Sequence, residues 1–309
     1  MHPRKLESRI LQSMNLANRD FGLVTEGDRI LVAMSGGKDS YGLMWGLMKM
    51  RAAMPFDFDL VAYHLDQGQP GHNPKPLEEH MKGLGLPYEI EYQDTYSRVV
   101  AMTEPGKVYC AWCSRFRRAI VYKAARRHGC NKVALGHHRD DLIETFLLNA
   151  FFSGQIKAMP PRLLSDAGSE QVIRPLVYVG ESELVELAQH HAFPVMPCSL
   201  CGSQDKERKA IKRLLEELSE RYPRLRTSML AALGNVRRTH LLDKGINPLY
   251  AGAAAPGAGL ESLPRDTGEE DDELVPARAA LVQIGVPAPA DDGDERLVQV
   301  SASDPLLDI

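Results

Sequence analysis

Residues 30–40 read Ile30-Leu31-Val32-Ala33-Met34-Ser35-Gly36-Gly37-Lys38-Asp39-Ser40. A short apolar run empties into a glycine-rich turn, and helix-forming residues follow. A strand, a turn and a helix in that order make a phosphate cradle. Glycines let backbone N–H groups face an anion, and the helix N-terminus adds the positive end of its dipole. The loop is not a Walker A motif, which needs glycine where Val32 stands and Ser or Thr where Asp39 stands. Nor does it carry the Gly-x-Gly-x-x-Gly spacing of dinucleotide-binding folds.

Working outward, Leu6 to Phe21 has apolar residues at Leu6, Ile10, Leu11 and Met14, the spacing of an amphipathic helix. Asp39 to Met54 predicts a second helix, ended by Pro55. Four more apolar runs follow: Leu60–Tyr63, Tyr88–Ile90, Val133–Leu135 and Val172–Ile173. Helix-like stretches around Pro76–Gly83, Ser114–His128 and Asp140–Phe152 separate most of them. Alternating strands and helices predict an α/β fold, a Rossmann-like parallel sheet with helices on both faces. Ligands of such sheets bind beyond the strand C-terminal ends. The 35–40 loop, Leu65-Asp66-Gln67 and Gly136-His137-His138-Arg139-Asp140-Asp141 all fall there. Helices predominate later, at Ser182–His191, Asp205–Arg221 and Pro223–Val236.

The segments therefore read as an N-terminal helix at 1–25, a nucleotide-binding domain at 26–200, a basic helical region at 201–250, and a tail at 251–309. The tail is rich in Ala, Gly, Pro and acids and reads as disordered. It holds 13 acidic and 3 basic residues, while the first 250 residues hold 34 basic and 28 acidic. A basic body suits a polyanionic substrate, although a solvated charged surface gives the same count. No apolar stretch is long enough to span a membrane, and no signal core follows the N-terminal charges, so the expected location is the cytoplasm. Five cysteines in 309 residues do not make a disulfide framework.

Four of those cysteines form two Cys-x-x-Cys pairs, Cys110/Cys113 and Cys198/Cys201. Zinc ribbons place such pairs ~15–20 residues apart, whereas 84 residues lie between Cys113 and Cys198. Three readings compete: a structural zinc held by four thiolates, a redox dithiol using one pair, and an iron–sulfur cluster. A cubane cluster held by three thiolates leaves one iron open to a ligand such as sulfide. Cys130 stands alone before a strand and reads as a small buried apolar residue.

Ser35–Ser40 resembles the PP-loop of the ATP pyrophosphatases, enzymes that split ATP between the α and β phosphates. Cys110-Ala-Trp-Cys113-Ser114-Arg115-Phe116-Arg117-Arg118, Gly136–Asp141, Leu65–Gly71, Met159-Pro160-Pro161, Ile173-Arg174-Pro175-Leu176 and Pro197–Gln204 narrow the likeness. Together they resemble the tRNA-thiolating group, in particular its 2-thiocytidine branch, from about residue 5 to 250. Extra Cys-x-x-Cys modules at both ends mark a 2-thiouridine branch, and this chain has none.

The resemblance implies adenylation of the C2 oxygen of cytidine 32 in the anticodon loop of tRNA, then sulfur transfer. It implies a [4Fe-4S] cluster on Cys110, Cys113 and Cys201, with Cys198 a neighbour. It implies a cysteine desulfurase as sulfur donor and a homodimer. Ser35, Gly36, Gly37 and Ser40 would donate to the pyrophosphate end of ATP, and Lys38 would add charge there. Asp39 would hold Mg²⁺ or brace the loop. Asp66, His137, Asp140 and Asp141 are further candidates around ATP, one aspartate serving as a helix cap. Arg117 would meet the leaving phosphate. Arg115 and Arg118, with Lys209, Lys212 and Arg213 on a second basic helix, would hold the tRNA backbone. A thiouridine synthetase, a zinc-bearing ligase and a zinc-stapled RNA-binding protein remain as alternatives.

Overall fold

A computed structural model describes residues 2–103, 110–165, 170–196, 206–243 and 246, with the backbone alone for 110–112. The first helix, α1 (Pro3–Phe21), has proline in its first turn and ends on Gly22 in the left-handed region, φ 58°, whose N–H donates to Asn18 O. Its apolar stripe of Leu6, Ile10, Met14 and Ala17 is fully buried. Pre-set φ at the start and a residue free to take positive φ at the end fix the length of this helix.

The chain then alternates: β1 (Arg29–Ala33), α2 (Lys38–Ala53), β2 (Asp59–Asp66), α3 (Lys75–Gly83), β3 (Tyr88–Tyr92), α4 (Thr95–Met102), α5 (Cys110–Arg127), β4 (Lys132–Ala134) and α6 (Arg139–Phe152). Next come β5 (Arg162–Leu164), β6 (Gln171–Ile173), α7 (Glu181–His190), α8 (Lys206–Arg221) and α9 (Leu225–Gly234). The six strands lie in the order β3-β2-β1-β4-β6-β5. All pairings are parallel except β5 with β6. The expected α/β architecture is present, and each expected strand lies in this sheet.

Two elements go beyond the sequence expectation. The strand β5 is a three-residue antiparallel edge whose residues are all exposed, so no burial period marks it. The helix α4 is short and is capped by Asp94, whose carboxylate accepts from Ser97 N at 2.9 Å. A third difference concerns α5, which begins at Cys110 rather than Ser114 and so includes the whole Cys-x-x-Cys.

Strand residues alternate between two cores. Ile30, Val32, Leu60 and Ala62 join α1, α2, α3, α6 and α7 in the larger one. Leu31, Val61, Tyr63, Leu65 and Val133 pack against Val121, Ala124 and Ala125 of α5 in the smaller one. Successive strand side chains point to opposite faces, so a sheet covered on both sides needs apolar residues at every position. Strand order reverses between β1 and β4, which opens a crevice at their C-terminal ends. Among the described residues no helix is long and apolar enough to cross a membrane.

Candidate active site

Into that crevice project the loop after β1 and the loop after β4. Gly36 has φ +80°, a conformation that side chains disfavour, and a Cβ there would lie 2.0 Å from Met196 Cε. The loop is closed by its serines. Ser35 Oγ accepts from Gly37 N at 3.2 Å and lies 3.3 Å from Ser40 Oγ, which donates to Gly37 O at 2.8 Å. Met196 N donates to Gly36 O at 2.9 Å, so the 193–196 segment braces the loop from outside. Tyr41 holds that segment by stacking on Phe193 and donating its hydroxyl to Pro194 O at 3.1 Å.

Gly136 touches the loop directly: a Cβ there would sit 3.1 Å from the backbone C and O of Asp39 and 3.2 Å from Ser40 N. Only glycine allows this approach of two backbones without a shift. The next residues form the N-terminus of α6, where the Asp141 carboxylate accepts from His138 N at 3.0 Å. His138 is buried, and its Nε2 stands 3.7 Å from Asp39 Oδ1 and 3.5 Å from Asp141 Oδ2. Asp39 and Asp141 thus flank one imidazole. No well-directed hydrogen bond reaches Asp39 Oδ1 among the described residues, although Lys38 Nζ lies 3.2 Å away. Burial raises the Asp39 carboxyl above the ordinary range and outweighs the pull of His138 and Lys38.

Lys38 does not stand alone. Its ammonium lies 3.1 Å from Glu181 Oε1, and Lys212 grips the same carboxylate at 2.9 Å. Burial disfavours the Lys38 charge, but Asp39 and Glu181 prevail and raise its pKa above the usual lysine value. Glu181 in turn is lowered, since Lys212 and Lys38 outweigh its burial. An anion arriving at the loop would meet Lys38 and Lys212 together, with one carboxylate between them.

Asp140 sits beneath this layer and is 2% exposed. It accepts from Arg226 Nη1 at 2.6 Å, from Arg139 Nη2 at 3.3 Å and from Glu181 N at 2.8 Å. Burial would raise its carboxyl, but Arg139, the Glu181 N–H and Arg226 hold it below the ordinary range. Its oxygens are engaged in joining α6, α7 and α9. His137 faces Arg174, whose Nε–H donates to Nδ1 at 3.2 Å. Burial, with Arg174 beside it, lowers the His137 pKa to about 4, leaving a neutral ring above that.

On the β2 side of the crevice, Asp66 Oδ1 accepts from Gly68 N at 2.9 Å and fixes the turn there. Gln67 Oε1 takes the Cys113 thiol at 3.3 Å and Thr95 Oγ at 3.2 Å. The partly exposed Cys113 is therefore tied to the C-terminal end of β2, beside the strand that carries the loop, while Cys130 is buried at 5% exposure. Cys110 lies one helical turn before Cys113, and residues three apart share a helix face. The Cys110 side chain, Cys198 and Cys201 lie outside the described residues. The part-exposed Cys113 thiol beside a neutral amide is chemically suited to serve as a thiolate ligand for iron or zinc.

Arg115, Arg117 and Arg118 are exposed on α5 beyond Cys113, as are Lys209 and Arg213 on α8. Arg213 pairs with Glu217 at 2.7 Å. Sequence reasoning missed Glu181 and Met196, and it did not foresee that Arg226 pairs with Asp140 or Arg174 with His137.

A parallel sheet with a Ser-Gly-Gly-Lys-Asp-Ser loop at its switch point defines the PP-loop class of nucleotide-binding proteins, and residues 4–216 match the PP-loop domain family. The chain is 47% identical over 282 residues to the tRNA-cytidine(32) 2-sulfurtransferase of Anaeromyxobacter dehalogenans strain 2CP-C, covering 91% of this chain and 96% of that one. The enzyme of the same name from Delftia acidovorans is 46% identical over 283 residues, covering 91% and 89%. Among solved structures, the U34-tRNA thiolase NcsA from Methanococcus maripaludis with its [4Fe-4S] cluster aligns with TM-score 0.59. Its identity is 19%, over 75% of this chain and 81% of that one, which is a likeness of fold. The chain belongs to the tRNA-cytidine(32) 2-sulfurtransferases, a family of PP-loop sulfurtransferases.

Proposed function

We propose that this protein 2-thiolates cytidine 32 of tRNA at the expense of ATP, through adenylation of the C2 oxygen. The juxtaposition of the Ser35–Ser40 loop and Cys113 at one sheet edge carries this reading, together with family membership. Oxide is a poor leaving group from C2. Attack of the C2 oxygen on the α-phosphorus of ATP expels pyrophosphate and converts that oxygen to part of an AMP leaving group. Sulfide then adds at C2, the C–O bond breaks, and the oxygen departs with AMP.

In this reading Ser35, Gly36, Gly37 and Ser40 bind the departing pyrophosphate, and Lys38 with Lys212 neutralises it. Glu181 sets the position of both ammonium groups. Asp39, with Asp141 beside it, would hold Mg²⁺, since Asp39 keeps an oxygen without a directed partner. Asp66 shapes the turn below the nucleotide. His137 stays neutral and orients Arg174, and Asp140 positions Glu181. Arg117 would meet the leaving phosphate.

Cys110, Cys113 and Cys201 would hold a [4Fe-4S] cluster. When bound, that group supplies an iron without a protein ligand on which sulfide can be presented. Gln67 orients Cys113 for that role. Exposed Arg115, Arg118, Lys209 and Arg213 would track tRNA phosphates, and the target base must leave its stack to reach the crevice. A cysteine desulfurase would supply the sulfur, to a homodimer in the cytoplasm. Nucleoside analysis of tRNA incubated with the protein, ATP and sulfide tests the reading. It predicts 2-thiocytidine with one AMP formed per modified base; thiolation accompanied by ADP would contradict it.

A further inference from the structure

At the opposite end of α7 from Glu181, α1 and α7 bring together Glu7, His190 and His191. One donor atom of each lies within 4.8 Å of the others. His191 Nε2 is 2.8 Å from Glu7 Oε1, and His190 Nε2 is 3.9 Å from that same oxygen. The second separation is too long for a hydrogen bond. Two imidazoles thus converge on one carboxylate oxygen, and only one of them is satisfied by it.

We propose that these three side chains form a site for a divalent cation of the zinc class. A tetrahedral ion with metal–ligand distances near ~2.1 Å keeps its ligand atoms ~3.4 Å apart. The observed 2.8 and 3.9 Å bracket that spacing, so small shifts of both rings, one outward and one inward, would bring each to it. The donor set of two imidazoles and one carboxylate is borderline-soft, which suits zinc, nickel or cobalt and not magnesium.

The surroundings support a fixed site. His191 stacks on Phe193 at 5.4 Å and lies against Trp45 at 5.6 Å, which sets its ring plane. Arg9, on the same helix as Glu7, reaches Glu183 at 2.8 Å. Side-chain exposures of 28, 38 and 27% for Glu7, His190 and His191 leave room for water in a fourth position. A bound ion would clamp α1 to the C-terminal end of α7, immediately before the Phe193–Met196 segment that braces the nucleotide loop. This site is independent of the thiolation reading, because it uses none of the same residues.

The experiment titrates zinc chloride into the full-length protein while the imidazole resonances of His190 and His191 are followed by NMR. Zinc captured by the cysteines leaves those two signals in place, so the readout belongs to this site. Both resonances should move together and saturate with one zinc beyond any the cysteines take up. Magnesium at equal concentration should leave them unmoved. Glu7→Gln and His190→Ala, each with an unchanged circular dichroism spectrum, should weaken the response about tenfold or more. Histidine signals indifferent to zinc, or a zinc affinity unchanged in Glu7→Gln, would overturn the proposal.

Discussion

Replacing Asp140 by Asn removes one negative charge from beneath the phosphate loop and keeps nearly the same shape. The carboxylate is 3% exposed and faces two guanidinium groups, Arg226 at 2.6 Å and Arg139 at 3.3 Å. Breaking a fully buried pair by removing one partner costs ~3–5 kcal/mol. Arg226 and Arg139 keep 20% and 18% of their side chains exposed, so water recovers part of that cost. The asparagine oxygen can still accept from Glu181 N. A loss of about 2–3 kcal/mol is expected, equivalent to a fall in Tm of roughly 5–10 °C for a domain of this size. Urea unfolding of wild type, Asp140→Asn, Arg226→Met and the double variant would measure it. The cycle should show a coupling energy above about 1 kcal/mol between the two positions. A single-variant loss under about 0.5 kcal/mol, or additive effects, would refute the view that Asp140 ties α6, α7 and α9 together.

Lys38→Ala should abolish tRNA thiolation, by at least about 100-fold, while leaving the melting curve near wild type, because the ammonium acts on a ligand rather than on the core. Cys113→Ser should lose thiolation as completely, whereas Cys130→Ala should retain it at a modest cost in stability; thiolation assays on tRNA read both. Gly136→Ala should raise the KM for ATP more than it lowers the melting temperature, since its methyl group presses on the backbone of Asp39 and Ser40. The pH dependence follows from His137, held at about 4 against an ordinary 6.5. Between those values the unfolded chain binds a proton that the native ring refuses. Its contribution is therefore whole above 6.5 and is lost as pH falls toward 4. Urea midpoints from pH 7 to 4.5 should fall more steeply in wild type than in His137→Gln.

Much of the fold was legible because it rests on local pattern. The runs at Ile30, Leu60 and Val133 are apolar at every position, as a sheet covered on both faces requires. The loop carried its own signal in Gly36 and Gly37. The edge strand Arg162–Leu164 was hidden because its residues bury nothing, and α4 because eight residues span barely two turns. At the site, candidates carried by short motifs on the loops could be singled out, and the partners that only tertiary packing recruits could not. Arg226 reaches Asp140 across 86 residues and Glu181 reaches it across 41, and nothing local in the sequence announces either pairing. Cys113 was found through its spacing with Cys110, but its partner Gln67 emerged only when β2 and α5 were brought together.

The central claim joins the phosphate loop and the cysteine helix in one reaction on tRNA. Mass spectrometry of nucleosides from unmodified tRNA, incubated anaerobically with the protein, α-labelled ATP and sulfide, tests it most directly. The account predicts 2-thiocytidine at position 32 and labelled AMP in equal amount, both absent without ATP. Sulfur found in uridine, or 2-thiocytidine formed equally well without ATP, would contradict it.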